Sequence, residues 1–272
     1  MLLLITLLIT TVVALDIKTR TKHEDTAHET TPQPNITYHG GLILHPSVTV
    51  HTIYYGTHFT PTEKTILSDY YNGLNASRWW SITRQYTNTN IVQGHNVTNT
   101  LYSRGKIISQ NTVAQLVVDA VNGGLGTASA SEIYVLLLDS TVNLIGMCTS
   151  FCGYHSQRTG RVNPHPYYLV VGSPIRCPSA CSALNSNGSD SPNANFEMDS
   201  MINIISHELS ESVTDPQGTA WYDSNGYEDA DKCAWQFGTV TTTAGRYWNE
   251  PIASRNFLIQ MNWALHSQTC SN

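Results

Sequence analysis

Apolar positions recur along the chain with two periods, about two and about 3.6 residues, which predict strands and helices respectively. Continuous apolar runs at 132–138 and 167–171 are typical of buried strands, whereas 199–213 keeps one apolar face at helical spacing. A Thr-Pro-x-Glu capping box at Thr60 marks the start of a second helix. A Gly-Gly pair after residue 122 marks the end of a third. The predicted strands are 48–55, 79–86, 132–138 and 167–171, and the predicted helices are 61–74, 110–121 and 199–213, the last capped by Asp199.

These elements alternate in a mixed order, and no internal repeat or second domain boundary is visible. We therefore predict one mixed-sheet domain of the α/β or α+β class over residues 39–272. The formal net charge is -6, and the 14 Lys and Arg residues are scattered along the chain. A nucleic-acid partner is not expected, because no basic run is present to neutralise phosphates.

The start of the chain is typical of an exported protein. Residues 1–14 are almost purely apolar, which is too short for a bilayer span of about 20 residues. Small residues at Val12 and Ala14 suit cleavage, so 1–14 is predicted to be a signal peptide. Residues 15–38 are polar without a period, which predicts a disordered lead-in. No later stretch is long and apolar enough to be a membrane span, so a secreted, extracellular or cell-wall protein is expected.

Cysteines and glycosylation sequons agree with export. The six cysteines are even in number, and four of them form two Cys-x3-Cys clusters. Such clusters suggest zinc in a cytosolic protein, but disulfides are favoured in an exported one, with 15 pairings left open. Four Asn-x-Ser/Thr sequons mark candidate glycosylation sites. The residues concerned are Cys148, Cys152, Cys177, Cys181, Cys233 and Cys270, and Asn35, Asn75, Asn96 and Asn187.

The helix predicted at 199–213 carries the strongest candidate chemistry. His207 and Glu211 stand four residues apart, so they lie one turn apart on one face, as two ligands of one metal do. Glu208 lies beside them and is the candidate catalytic base that takes a proton from a metal-bound water. The pattern His-Glu-x-x-Glu differs by one residue from the zinc-peptidase motif, and it predicts a zincin-like active-site helix.

A third metal ligand is expected from the acidic segment downstream. A tight turn at Asn225 brings the chain back, so that Glu228 or Asp231 supplies the ligand and the other orients His207. Zinc is the first candidate. Because a glutamate replaces the second histidine of the motif, manganese, calcium or no metal are alternatives. A calcium loop built on Asp223, Asn225 and Glu228 is the less favoured version.

Five segments in order resemble the phosphate-induced-protein (Exordium-like) family. They are residues 151–155, 171–181, 205–216, 228–233 and 257–263, and the likeness spans roughly 40–270. The resemblance implies a secreted protein linked to growth and cell-wall responses, without implying a reaction. His155 matches the family pattern and is a candidate site-lining residue.

Three functions follow from these features. The first is a secreted metal-dependent hydrolase, most simply a zincin-like peptidase with Glu208 as general base. The alternative is a non-catalytic extracellular growth or cell-wall-associated protein that binds or signals, a pseudoenzyme in which the same residues are structural. The third is a carbohydrate-active protein in which Glu208 and Asp215, the latter a second site-lining candidate, act as acid and base. The expected partner is an extracellular protein or a component of the cell wall or matrix.

Overall fold

The computed structural model describes residues 33–158 and 165–272. The predicted signal peptide, 1–14, and residues 15–32 of the predicted lead-in lie outside the described residues. The last part of that lead-in belongs to the fold, because Ile36 is buried and Thr37–Tyr38 pairs with a strand far along the chain. The folded chain therefore extends to the N-terminal side of residue 39.

The described part of the chain has a mixed α+β architecture. Its helices are α1 (Pro61–Leu74), α2 (Arg78–Thr87), α3 (Gln110–Asn122), α4 (Pro178–Cys181) and α5 (Phe196–Thr214). Its longer strands are β2 (Ser47–Tyr55), β3 (Asn90–Asn99), β5 (Glu132–Leu138), β7 (Gly153–Gln157) and β8 (Tyr167–Gly172). The short strands are β1 (Thr37–Tyr38), β4 (Ile107–Ile108), β6 (Asn143–Leu144), β9 (Trp221–Tyr222), β10 (Thr241–Thr243), β11 (Arg246–Trp248), β12 (Glu250–Ile252), β13 (Arg255–Phe257), β14 (Asn262–Ala264) and β15 (Thr269–Ser271).

A five-stranded sheet with the order β3-β2-β5-β8-β7 forms the centre of the molecule. Its first four strands run parallel, and β7 runs antiparallel to β8 at one edge. Because successive side chains of a strand point to opposite faces, β5 contributes Ile133, Val135 and Leu137 to one core cluster. Its remaining apolar side chains pack in a second cluster with those of α3. Helices α1, α2 and α5 cover the first face, so the domain has three layers.

Most of the predicted elements match the structure, but the segment 79–86 does not. It was expected to be a strand because of its aromatic residues, yet it lies within α2. Ser77 caps this helix by accepting a hydrogen bond from the Trp80 amide, and both Trp79 and Trp80 are fully buried. Helix α5 begins earlier than predicted, with Asn195 rather than Asp199 as its N-cap.

Three disulfides join the six cysteines. The two Cys-x3-Cys clusters are paired with each other in parallel, as Cys148–Cys177 and Cys152–Cys181, and the third bond is Cys233–Cys270. The cysteines are thus joined as disulfides rather than gathered as zinc ligands. Within the described ranges, none of the helices has the length and apolar character needed to cross a bilayer.

The asparagines of the four predicted glycosylation sequons differ in their exposure and in their hydrogen bonds. Asn35, Asn96 and Asn187 have exposed side chains. Asn75 instead pairs with one residue of β3, because its Nδ2 donates to the Ile91 carbonyl (2.6 Å) and its Oδ1 accepts from the Ile91 amide (2.8 Å). Both contacts use the same edge of the amide.

We therefore expect Asn75 to carry no glycan. An N-linked sugar replaces one of the two hydrogens on Nδ2. Because secondary amides are trans, it replaces the hydrogen on the same side as Oδ1. In this structure that hydrogen is the one donated to the Ile91 carbonyl. Deglycosylation in heavy-oxygen water, followed by peptide mass spectrometry of the secreted protein, should label Asn96 or Asn187 and leave Asn75 unlabelled. A heavily occupied Asn75 would show that this pairing does not form.

Candidate functional site

Helix α5 presents the two residues predicted to share a metal. Its apolar residues pack against the sheet, and His207 and Glu211 lie one turn apart on another face. The His207 Nε2 atom is 3.2 Å from the Glu211 Oε1 atom. This local geometry follows from the helical repeat alone.

The segment after α5 brings two further carboxylates to this face. Asp223 accepts hydrogen bonds from the Asn225 and Tyr227 amides through one oxygen, which closes a tight turn. The chain then returns to the helix, where the Asp231 amide donates to Glu211 Oε1 (3.1 Å). The Asp231 Oδ1 atom lies 3.6 Å from His207 Nε2.

His155 reaches the same carboxylates from the edge strand β7. Its Nε2 atom lies 3.5 Å from Glu228 Oε2 and 3.6 Å from Glu211 Oε2. The close approach of β7 to α5 depends on Gly153, because a Cβ atom there would lie 2.7 Å from a methyl group of Ile204. The structure therefore brings together His155, His207, Glu211, Glu228 and Asp231.

Gln260 is a site residue that the sequence analysis did not single out. Its Nε2 atom lies 2.8 Å from His207 Nδ1 and also donates to the Ala230 carbonyl, while its Oε1 accepts from the Trp235 amide. These backbone partners fix the orientation of the amide, so that Nδ1 of His207 is the acceptor. Its signal in the sequence was the family-like segment 257–263, which gave no role to any single residue.

The charge of the site depends on burial and on the carboxylates. Burial by itself would lower the pKa of His207, but Glu211 and Asp231 raise it well above its usual value. These carboxylates thus favour a protonated ring, whereas the Gln260 amide favours a ring that accepts at Nδ1. Because two backbone partners fix the Gln260 amide, Nδ1 is the acceptor and the ring proton lies on Nε2.

Glu208 lies beside this cluster in a closed environment. It borders a cavity of about 20 Å³, together with His207, Asp231, Trp235 and Gln260. A cavity of this size holds about one water molecule. Burial raises the pKa of Glu208 to about 8.

Two other predicted residues have structural partners. Asp215 is fully buried at the C-cap of α5, where its Oδ1 accepts from the Thr219 and Ala220 amides. Asp223, the first residue of the less favoured calcium loop, uses its other oxygen in a buried ion pair with Lys232 (2.9 Å). Both aspartates thus stabilise the turns that hold the site.

Within residues 33–158 and 165–272, two sets of side chains have the spacing needed for a metal. In each set the candidate ligand atoms lie within 4.8 Å of one another, and Glu211 belongs to both. One set is His207, Glu208 and Glu211, which is the predicted motif. The other, His155, Glu211 and Glu228, joins a strand, a helix and a loop. Imidazole and carboxylate ligands suit zinc or manganese.

Comparison with known proteins gives a consistent family assignment. The family model "Phosphate-induced protein 1 conserved region" matches residues 36–272. Among curated proteins of Arabidopsis thaliana, Protein EXORDIUM-like 3 is 28% identical over 272 residues, covering 84% of this chain and 80% of that protein. EXORDIUM-like 2 is 25% identical, covering 86% of this chain and 88% of the relative, and Protein EXORDIUM is 24% identical with the same coverage. No solved structure matches the chain significantly.

Proposed function

The chain belongs to the phosphate-induced protein 1 (Exordium-like) family, and from this premise we propose that it is a non-catalytic extracellular protein that binds or signals in the cell wall or matrix. Three disulfides are consistent with an extracellular protein, because such bonds persist in oxidising compartments. Growth and cell-wall responses are the context that the family likeness suggests.

The observation that carries this proposal is the closed environment of Glu208. A peptidase must place a substrate carbonyl beside its general base, and small-molecule sites alone occupy about 300–1,000 Å³. The cavity beside Glu208 has a volume of about 20 Å³. A cavity of about 620 Å³ does exist, but it lies between β3 and α3, and neither Glu208 nor any of the five residues clustered beside it lines this cavity.

The catalytic alternatives have less support. In the peptidase, Glu208 must reach a substrate carbonyl, but its side chain is buried beside a cavity of only about 20 Å³. In the carbohydrate-active reading, Asp215 must reach a glycosidic bond, but this side chain is fully buried and bonded to the chain that follows α5. The His-Glu-x-x-Glu pattern is better explained as part of a buried network.

The test compares turnover with retention on extracellular material. The secreted protein and its Glu208→Gln variant are incubated with unfolded casein, with and without added zinc, and both are applied to isolated cell wall or matrix. We expect no casein cleavage above the buffer rate by either protein, and equal retention of both on the matrix. The reduced and unfolded chain serves as the control for non-specific retention.

Two outcomes contradict the proposal. Casein cleavage that disappears in a folded Glu208→Gln variant establishes the peptidase. Retention no greater than that of the unfolded chain removes the proposed binding to wall or matrix.

A further inference from the structure

We propose that one zinc ion is held by His155, Glu211 and Glu228, and that His207 is not one of its ligands. This ligand set differs from the one that the His-Glu-x-x-Glu motif predicts. The ion would join β7, α5 and the loop before residue 231. The inference goes beyond the proposed function and does not depend on it, since it concerns metal content alone.

The first argument is the spacing around His155. Its Nε2 atom is 3.5 Å from Glu228 Oε2 and 3.6 Å from Glu211 Oε2. Both distances exceed the usual 2.7–3.2 Å of a hydrogen bond. Ligands about 2.1 Å from a tetrahedral zinc are roughly 3.4 Å apart. The three ligand atoms lie within 4.8 Å of one another, and the two distances from His155 match those between ligands of one zinc ion.

The second argument is the direction of the hydrogen bonds around His207. The Gln260 amide donates to Nδ1 at 2.8 Å, and its orientation is fixed by the Ala230 carbonyl and the Trp235 amide. A neutral imidazole with an acceptor at Nδ1 carries its proton on Nε2. That proton points to Glu211 Oε1 at the hydrogen-bond distance of 3.2 Å. A zinc-binding histidine instead directs a lone pair to the metal.

The two carboxylate oxygens of Glu211 thus have different partners. Oε1 accepts hydrogen bonds from His207 and from the Asp231 amide, while Oε2 faces His155. His207 and Asp231 then hold a ligand in place from the far side, as the outer partners of metal-bound carboxylates do. Side-chain burial is similar for the two histidines, at 10% and 12% exposed, so they form a matched pair for mutation.

The experiment is elemental mass spectrometry of the full secreted protein, purified without chelator. We expect about one zinc per chain in the unmodified protein and in His207→Gln. His155→Gln should lower the zinc content at least fivefold, and the nearly isosteric Glu228→Gln should do the same. Circular dichroism and thermal unfolding of each variant identify any that fail to fold, and Glu228→Gln then decides in place of His155→Gln.

Several results overturn this assignment. Zinc lost in His207→Gln but kept in His155→Gln would establish the motif residues as the ligands. A folded protein that takes up no zinc, even after incubation with excess zinc and gel filtration, would refute the site. Manganese or calcium in place of zinc, measured in the same run, would refute the zinc assignment. None of these results alters the casein test, because metal content and turnover are measured separately.

Discussion

Replacing Lys232 with methionine is expected to lower the free energy of unfolding by about 3–5 kcal/mol. The Lys232 ammonium lies 2.9 Å from Asp223 Oδ2, and neither side chain is exposed to solvent. It also donates to the Pro34 carbonyl (2.6 Å) and lies 4.2 Å above the Trp263 ring. Methionine fills a similar volume but leaves the Asp223 carboxylate buried without its cation.

The measurement is urea unfolding at neutral pH, with Lys106→Met as the control. Lys106 also lies over an aromatic ring, that of Tyr102, at 4.1 Å, but its side chain is exposed. Its replacement should cost about 1 kcal/mol or less. The double variant Lys232→Met/Asp223→Asn removes both charges and should recover part of the loss. A loss below 1 kcal/mol in the single Lys232 variant would mean that this pair is not buried.

This ion pair also positions the candidate metal centre. Asp223 closes the turn that returns the chain to α5, and Lys232 follows directly after Asp231. The Cys233–Cys270 disulfide secures the next residue. The loop that carries Glu228 and Asp231 is therefore held at both ends by buried contacts, so the carboxylates keep their positions beside the helix.

The parts of the site that depend on local spacing were predictable from the sequence. The helical repeat sets His207 and Glu211 one turn apart, and the turn at Asn225 indicated that Glu228 and Asp231 return to the helix. Both features are encoded within a few residues of the side chains concerned. The structure accordingly places all four residues together.

The parts that depend on distant packing were not predictable. Only the family resemblance singled out His155, and its contact with Glu211 depends on β7 running antiparallel beside β8 at the sheet edge, an order that no local pattern encodes. Segment 79–86 is predicted to be a strand, but it lies in a helix. Aromatic residues favour strands in general, and packing against other elements can override this preference. Here Trp79 and Trp80 are both buried in the core that also contains the apolar face of α5, and this packing favours the helix.

Trp79→Ala is expected to lower the free energy of unfolding by about 3–5 kcal/mol. The Trp79 ring is fully buried in the main core cluster, and its Nε1 atom donates to the Gln260 carbonyl (2.7 Å). Trp79→Phe keeps most of the apolar contact but leaves that buried carbonyl without this donor, which costs about 1–3 kcal/mol. The two variants separate the contribution of packing from that of the hydrogen bond.

Trp248→Phe is the matched control, since its Nε1 atom donates to an exposed threonine hydroxyl at 3.1 Å. That substitution should change the free energy of unfolding by about 0.5 kcal/mol or less. Urea unfolding followed by far-ultraviolet circular dichroism measures all three variants without relying on tryptophan fluorescence. Equal losses for Trp79→Phe and Trp248→Phe would show that the bond to Gln260 contributes nothing. A larger loss for Trp79→Phe would show that the hydrogen bond from Trp79 to Gln260 is stabilising. Because Gln260 orients His207, helix α2 would then also support the candidate site.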